Sequence, residues 1–177
     1  MKVKKSRDEG FTLIEVLAAT VILSIASLGM MAFFLHAMSY NKGNQNKTVM
    51  INLARNALFY MEKQSFSDLE TYFNGSSDLS LPSHDKIDLS TSGCTETAGS
   101  LICPREHQIL SKFYGIGDVF NPEVNGKLYQ VVVTYQESRK RDYLLPISVT
   151  VKDTSGSTDS MRYQANVEGD IVDESIR

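Results

Sequence analysis

The chain has 177 residues and a formal charge of −3, with 42% hydrophobic and 22% charged residues. That length fits one domain, or one domain with an extended segment. The charge is uneven: residues 1–10 (MKVKKSRDEG) hold four basic and two acidic side chains, a local +2 that leaves −5 for the rest. A mildly acidic body argues against nucleic acid as the main ligand, because phosphate binding needs clustered Lys and Arg. The one tight basic cluster, Arg139-Lys140-Arg141, reads as a solvated turn between strands.

Residues 16–37 (VLAATVILSIASLGMMAFFLHA) contain no Asp, Glu, Lys or Arg over 22 positions. A helix of that length spans ~33 Å, about one hydrocarbon core. The run is too long for a secretory apolar region. Its basic flank is N-terminal, which predicts residues 1–10 inside the cytoplasm and the body outside. An ordinary signal peptide places its small-residue cleavage site after the apolar region. Here the punctuation comes first: Gly10 closes the charged leader and Phe11-Thr12-Leu13-Ile14 opens the apolar stretch. Glu15 then interrupts it. A carboxylate in a membrane helix costs roughly 2.5–3.5 kcal/mol at the centre and less near an interface, so it points to a function and to a cationic partner. Were the leader removed after Gly10, Phe11 would expose a new α-amino group, and Glu15 of a neighbouring subunit could neutralise it.

Gly10-Phe11-Thr12-Leu13-Ile14-Glu15-Val16, after a short basic leader, resembles the class III signal of type IV prepilins and type II secretion pseudopilins. The strong likeness covers about residues 1–40, and a weaker one extends to about residue 64. The resemblance implies that a prepilin peptidase cuts between Gly10 and Phe11 and N-methylates Phe11, and that Glu15 guides the subunit into a filament. Its implied partners are that peptidase, other pilins or pseudopilins through the N-terminal helix, an inner-membrane assembly platform, and the cytoplasmic membrane before assembly. Major pilins often carry a proline in the second half of the apolar run. Here the first proline is Pro82, and Gly29 is the strong helix-weakening residue of the run. That departure, with Asn52-Leu53-Ala54-Arg55, looks more like a minor pilin or an I-type pseudopilin. A plain signal anchor with a chance glutamate is the alternative of another class.

After the polar stretch Asn41-Lys42-Gly43-Asn44-Gln45-Asn46, apolar residues return at helical spacing: Met50, Leu53, Ala54, Ala57 and Met61 share one face. One helix is therefore expected over about 11–64, with a membrane half at 11–40 and an amphipathic half at 41–64. Phe59 falls on its polar face, as a harmless exposed aromatic or a contact to another subunit. His36 falls near the outer end of the apolar run and marks the interface.

Residues 65–126 are rich in Ser, Asp, Asn, Gly and Thr and read as a long loop region with short elements. Cys94 and Cys103 lie within it. If the body is exported, a local disulfide is favoured over two free thiols. Two sulfurs with only His107 nearby do not complete a zinc shell. His84, Asp85 and Asp88 suit a surface loop better than a metal site. Residues 153–159 (DTSGSTD) lack the spaced carboxylates of an EF-hand and read as a hairpin turn.

Period-two alternation marks three strands. Tyr129, Val131, Val133 and Tyr135 share a face, as do Leu145, Ile147, Val149 and Val151, and then Met161, Tyr163, Ala165 and Val167. Turn-like segments at 137–142 and 153–159 suit an antiparallel meander. Pro146 suggests a strand that begins late or lies on an edge. The fold expected is α+β and pilin-like: one long N-terminal helix packed on a small antiparallel sheet in a head spanning 65–177. No catalytic constellation and no cofactor site is visible, so the chain reads as a structural subunit rather than an enzyme.

Overall fold

The structure is a computed structural model that describes residues 11–76, 81–97, 100–154 and 163–176. Gly10, Met161 and residues 155–159 of the expected hairpin turn lie outside them. The chain divides into two compact units, Met1–Gly43 and Asn44–Arg177. The division falls within the 50-residue helix α1, Leu13–Glu62, which starts and stops two residues inside the expected span.

In the first unit every described residue from 11 to 41 is exposed. α1 is long and apolar enough to cross a membrane, and none of its most apolar window is buried within the molecule. Two of its hydroxyls are satisfied locally. Thr20 Oγ1 donates to the Leu17 carbonyl at 2.9 Å, and Ser24 Oγ donates to the Thr20 carbonyl at 2.7 Å. A helix surrounded by hydrocarbon must meet its polar groups from within in this way.

In the second unit α1 is one-sided. Met50, Ala54, Ala57 and Met61 are fully buried, as their spacing predicts, while Leu53 is only partly buried. They share a core with the inner face of an antiparallel sheet. Its strands are β1 (Lys86–Ile87), β5 (Lys127–Tyr135), β6 (Leu144–Asp153) and β7 (Gln164–Val172), in that order, with β4 (Glu123–Val124) pairing β5 at its start. The register aligns buried and partly buried residues across strands: Val131 with Val151 and Ala165, Val133 with Val149 and Val167, and Tyr135 with Ile147 and Gly169. The alternation read in β5 and β6 is thus the core face.

β7 differs from expectation. It begins at Gln164, leaves Tyr163 38% exposed, and runs on through Gly169 to the fully buried Ile171. The third residue of its inner face is a glycine, which hid the continuation. Pro146 also differs: β6 is an interior strand, and it starts two residues before the proline. Pairing with β5 begins only at Ile147, so Pro146 has a partner, Asp170, on the β7 side alone. A proline is tolerated where one side of the ladder has not yet formed. Its carbonyl still accepts from the Gln136 amide at 2.9 Å.

The region 65–126 is more ordered than a loop. Helix α2, Phe66–Asn74, is capped by Ser65, whose side chain accepts from the Asp68 amide. It buries Phe66, Leu69, Tyr72 and Phe73 in the same core. A hairpin of β2 (Thr95–Thr97) and β3 (Ser100–Ile102) follows, then a 3₁₀ helix, Arg105–Lys112, and the short helix α3, Ile116–Phe120. These add Ile109, Leu110, Phe113, Ile116 and Phe120 to the core. Cys94 and Cys103 flank the hairpin and are joined in a disulfide. Lys127 Nζ reaches the buried Asp153 carboxylate at 3.1 Å, so an ion pair braces the β5–β6 end. The Arg139–Arg141 turn is solvated, with Arg139 paired to Glu168 at 2.8 Å and Lys140 to Glu70 at 3.4 Å. Such exposed pairs contribute about 0–1 kcal/mol each.

Gly169 sits beneath Leu58: a Cβ there would fall 2.7 Å from both Leu58 methyl carbons. Gly169→Val should destabilise the second unit by about 1–3 kcal/mol through overpacking. Chemical denaturation of the full chain in detergent should show this, and the double variant with Leu58→Ala should lose less than the two single losses added. Reduction of the Cys94–Cys103 bridge, which closes a separation of 9 residues, should lower stability by about 2–3 kcal/mol. Alkylation before and after reduction reports whether envelope protein carries the bridge.

Candidate assembly site at the helix N-terminus

The first turn of α1 is organised by two side chains. Glu15 Oε2 accepts from the Thr12 amide at 2.8 Å and from Thr12 Oγ1 at 2.8 Å. In return the Glu15 amide lies 3.4 Å from Thr12 Oγ1, and it also donates to the Thr12 carbonyl at 3.1 Å. Thr12 is therefore the N-cap, and Thr12-x-x-Glu15 is a capping box. A helix start leaves four amide donors without intrahelical partners. Two of these orphans are met here without water, and the carboxylate also stands at the positive end of the helix dipole. Threonine at this position was not singled out in the sequence, although S/T-x-x-E ahead of an apolar run is a readable signal.

Both contacts from Thr12 converge on Oε2. Among the described residues, no hydrogen bond is formed by Oε1, which remains open to a second donor. Phe11 is 90% exposed and lies immediately before the cap. The structure thus places Phe11, Thr12 and Glu15 together at one end of an apolar helix.

The other residues singled out are placed elsewhere. Asp88 Oδ1 closes a turn, accepting from the Ser90 amide (3.1 Å), from Ser90 Oγ (2.7 Å) and from Gln130 Nε2 (2.9 Å). The Asp85 carbonyl accepts from the Tyr135 amide at 2.8 Å. His84 stacks on Tyr72. Among the described residues no group of three His, Cys, Asp or Glu side chains is placed to hold a metal ion. Phe59 is 57% exposed, with Lys63 Nζ 4.9 Å from its ring centre.

Against known protein families, residues 5–31 match the prokaryotic N-terminal methylation motif. The chain therefore carries the class III signal of type IV pilins and pseudopilins. The long helix packed on a small antiparallel sheet is consistent with the pilin fold. No curated protein and no solved structure matches the chain. The motif supports a type IV pilin or pseudopilin in general, and so a structural subunit. It implies processing by a prepilin peptidase and assembly with other pilins. With the apolar helix, it fits a membrane-anchored protein.

Thr12→Val keeps the β-branched shape and removes both side-chain bonds of the cap. It should weaken the first turn of α1 by about 0.5–2 kcal/mol, whereas Thr12→Ser should be near neutral. Amide hydrogen exchange in detergent micelles, read at residues 13–16, measures the difference.

Proposed function

We propose that this chain is a minor pilin of a type IV pilus, made as a precursor and built from the cytoplasmic membrane into a surface filament that serves adhesion, motility or DNA uptake. Residues 1–10 are the leader. Prepilin peptidase cuts after Gly10 and methylates Phe11. Residues 11–40 span the membrane and then enter the filament core, 41–64 continue the helix on its amphipathic face, and 65–177 form the head. The observation that carries this reading is Glu15 in the first turn of an exposed apolar helix, directly behind the expected new N-terminus. In the low-dielectric surroundings of packed apolar helices, an amine and a carboxylate stabilise each other where either alone would be costly to bury.

The lack of a proline in the apolar run favours a minor pilin over a major one. A pseudopilin of a type II secretion or competence machine is the second reading, favoured by the I-type likeness at Asn52-Leu53-Ala54-Arg55. The neighbouring genes separate the two: a retraction ATPase and a major pilin on one side, a secretin and secreted hydrolases on the other.

Two variants at Glu15 test the assembly role and separate charge from capping. Glu15→Val removes both. Glu15→Gln keeps an acceptor for the cap and removes the charge. Both should insert into the membrane at least as well as wild type, because a charge leaves the apolar segment. Both should fall severalfold in filament incorporation or, for a tip subunit, in filaments per cell. Only the Val variant should also expose the first-turn amides. Shearing, immunoblotting and filament counts give the assembly readout, and mass spectrometry of the same material should find a methylated Phe11 N-terminus. Normal incorporation of either variant removes Glu15 from the assembly role.

A further inference from the structure

Asparagine followed by glycine occurs at Asn74-Gly75 and at Asn125-Gly126. The pairing is chemically reactive. An asparagine side-chain amide is an electrophile, and the backbone nitrogen of the next residue attacks it when that residue has no Cβ to block the approach and its peptide is free to turn. Both asparagines are exposed, so exposure does not separate them. The backbone does.

Asn74 is the last residue of α2, and Gly75 is its C-cap. A Cβ on Gly75 would lie 2.9 Å from the Leu81 carbonyl oxygen and 3.0 Å from the Ser83 nitrogen, so the glycine is wedged. Just beyond it, Ser76 and Leu81 exchange two backbone hydrogen bonds, at 3.1 and 3.0 Å. The peptide between Asn74 and Gly75 is thus held by a helix on one side and a bridge on the other. Asn125-Gly126 is the two-residue loop between β4 and β5, because Val124 pairs with Lys127. Both loop residues have positive φ, 54° and 72°, as in the type I′ turn that Asn-Gly favours. The Tyr129 amide donates to the Pro122 carbonyl at 2.9 Å. Ladder-bonded pairs alternate along an antiparallel ribbon, so the next is Val124 with Lys127, and the Gly126 amide falls outside the ladder. Gly126 is exposed, and a Cβ there would meet nothing within 4 Å.

We infer that Asn125 is a site of self-modification, where the second unit deamidates through a cyclic imide, while the fold protects Asn74. The Gly126 nitrogen gives up its proton and forms a bond to Asn125 Cγ. The bond from Cγ to the side-chain nitrogen breaks, and that nitrogen leaves with the proton as ammonia. Water then opens the five-membered imide. Cleavage between the ring nitrogen and Cγ leaves aspartate in an ordinary backbone. Cleavage at the main-chain carbonyl leaves isoaspartate, whose backbone runs through the former side chain and is one carbon longer. Neither oxidant nor reductant takes part. The aspartate product adds a negative charge and keeps the turn, because Asp tolerates positive φ as Asn does. The isoaspartate product lengthens a two-residue loop whose size sets the β4–β5 register. It loosens Val124, which packs against the core, and with it the short strand that follows α3.

The test is to age the full chain in detergent micelles at mildly alkaline pH, where the attacking nitrogen loses its proton more readily. Peptide mass spectrometry follows the loss of ammonia and gain of water at each asparagine, and an isoaspartyl methyltransferase labels the rearranged product. Product should build up at Asn125 roughly tenfold or more faster than at Asn74, because the loop opens far more often than the capped helix end. In guanidinium chloride the two sites should react at similar rates. Asn125→Gly, which keeps a pair that forms the same turn, should remove the signal at residues 125–126 and leave Asn74 unchanged. Equal rates in the folded chain, faster reaction at Asn74, or an intact Asn125 where the unfolded chain reacts would overturn the inference. A preference for Asn125 as large in guanidinium chloride as in the folded chain would place the cause in the flanking residues rather than the turn, and would overturn it too.

Discussion

The close approach of α1 to the sheet is the contact on which the second unit depends. Ala54 and Ala57 are small, and Met50 and Met61 are flexible enough to fill irregular gaps beside them. All four are fully buried. Opposite them, Gly169 leaves the space that the Leu58 methyls occupy. Larger residues at these places would hold the helix off Val133, Val149 and Ile147, and the core would lose the apolar area that offsets the entropy of ordering the chain. The same helix carries no such stripe before residue 44, where the described residues up to 41 are exposed. One helix thus follows two patterns: apolar all round in the stretch long enough to cross a membrane, and one-sided where it meets its own sheet.

α2 and the 3₁₀ helix enlarge that core from outside the helix–sheet pair. Phe66, Leu69, Tyr72 and Phe73 come from α2, and Ile109, Leu110 and Phe113 from the 3₁₀ helix and its end. Phe73 stacks on Tyr135 of β5 at 5.0 Å, so α2 is tied to the sheet as well as to the 3₁₀ helix. The disulfide closes the hairpin that leads into the 3₁₀ helix. In a short polar-rich segment such links supply the order that a regular pattern would otherwise supply.

Legibility in the sequence follows element length. α1 shows several turns of period, and β5 and β6 show four alternations each, so their buried faces were readable. Region 65–126 builds its core from helices of nine, eight and five residues and strands of two or three. Over such lengths a period cannot be told from chance, and burial is decided by distant partners. Local chemistry carries more there: the Ser65 cap on the Asp68 amide marks the start of α2, a signal the composition of the region hides. β7 was misjudged because Gly169, a core-facing residue chosen for its lack of a side chain, looks like a strand end. At the candidate site, Phe11 and Glu15 were legible through the motif. Thr12 is less conspicuous, because the charge on Glu15 points first to a partner on another subunit and not to the residue three positions earlier.

Thr12 bears on the assembly step proposed for Glu15. A carboxylate has about four lone-pair sites. Glu15 makes both of its side-chain bonds to Thr12 through Oε2. Pairing with a neighbour's amine through Oε1 would therefore leave the cap in place. That matters in a water-poor environment, where uncapping the first turn would strand the Thr12 amide and offset much of the gain from the new ion pair. Capping also restricts the Glu15 side chain, so less rotamer entropy would be lost in the proposed pairing. A residue that only had to be anionic could stand anywhere on the first turn. One that caps and then pairs is confined to the third helical position behind a Thr or Ser, which is where Glu15 stands.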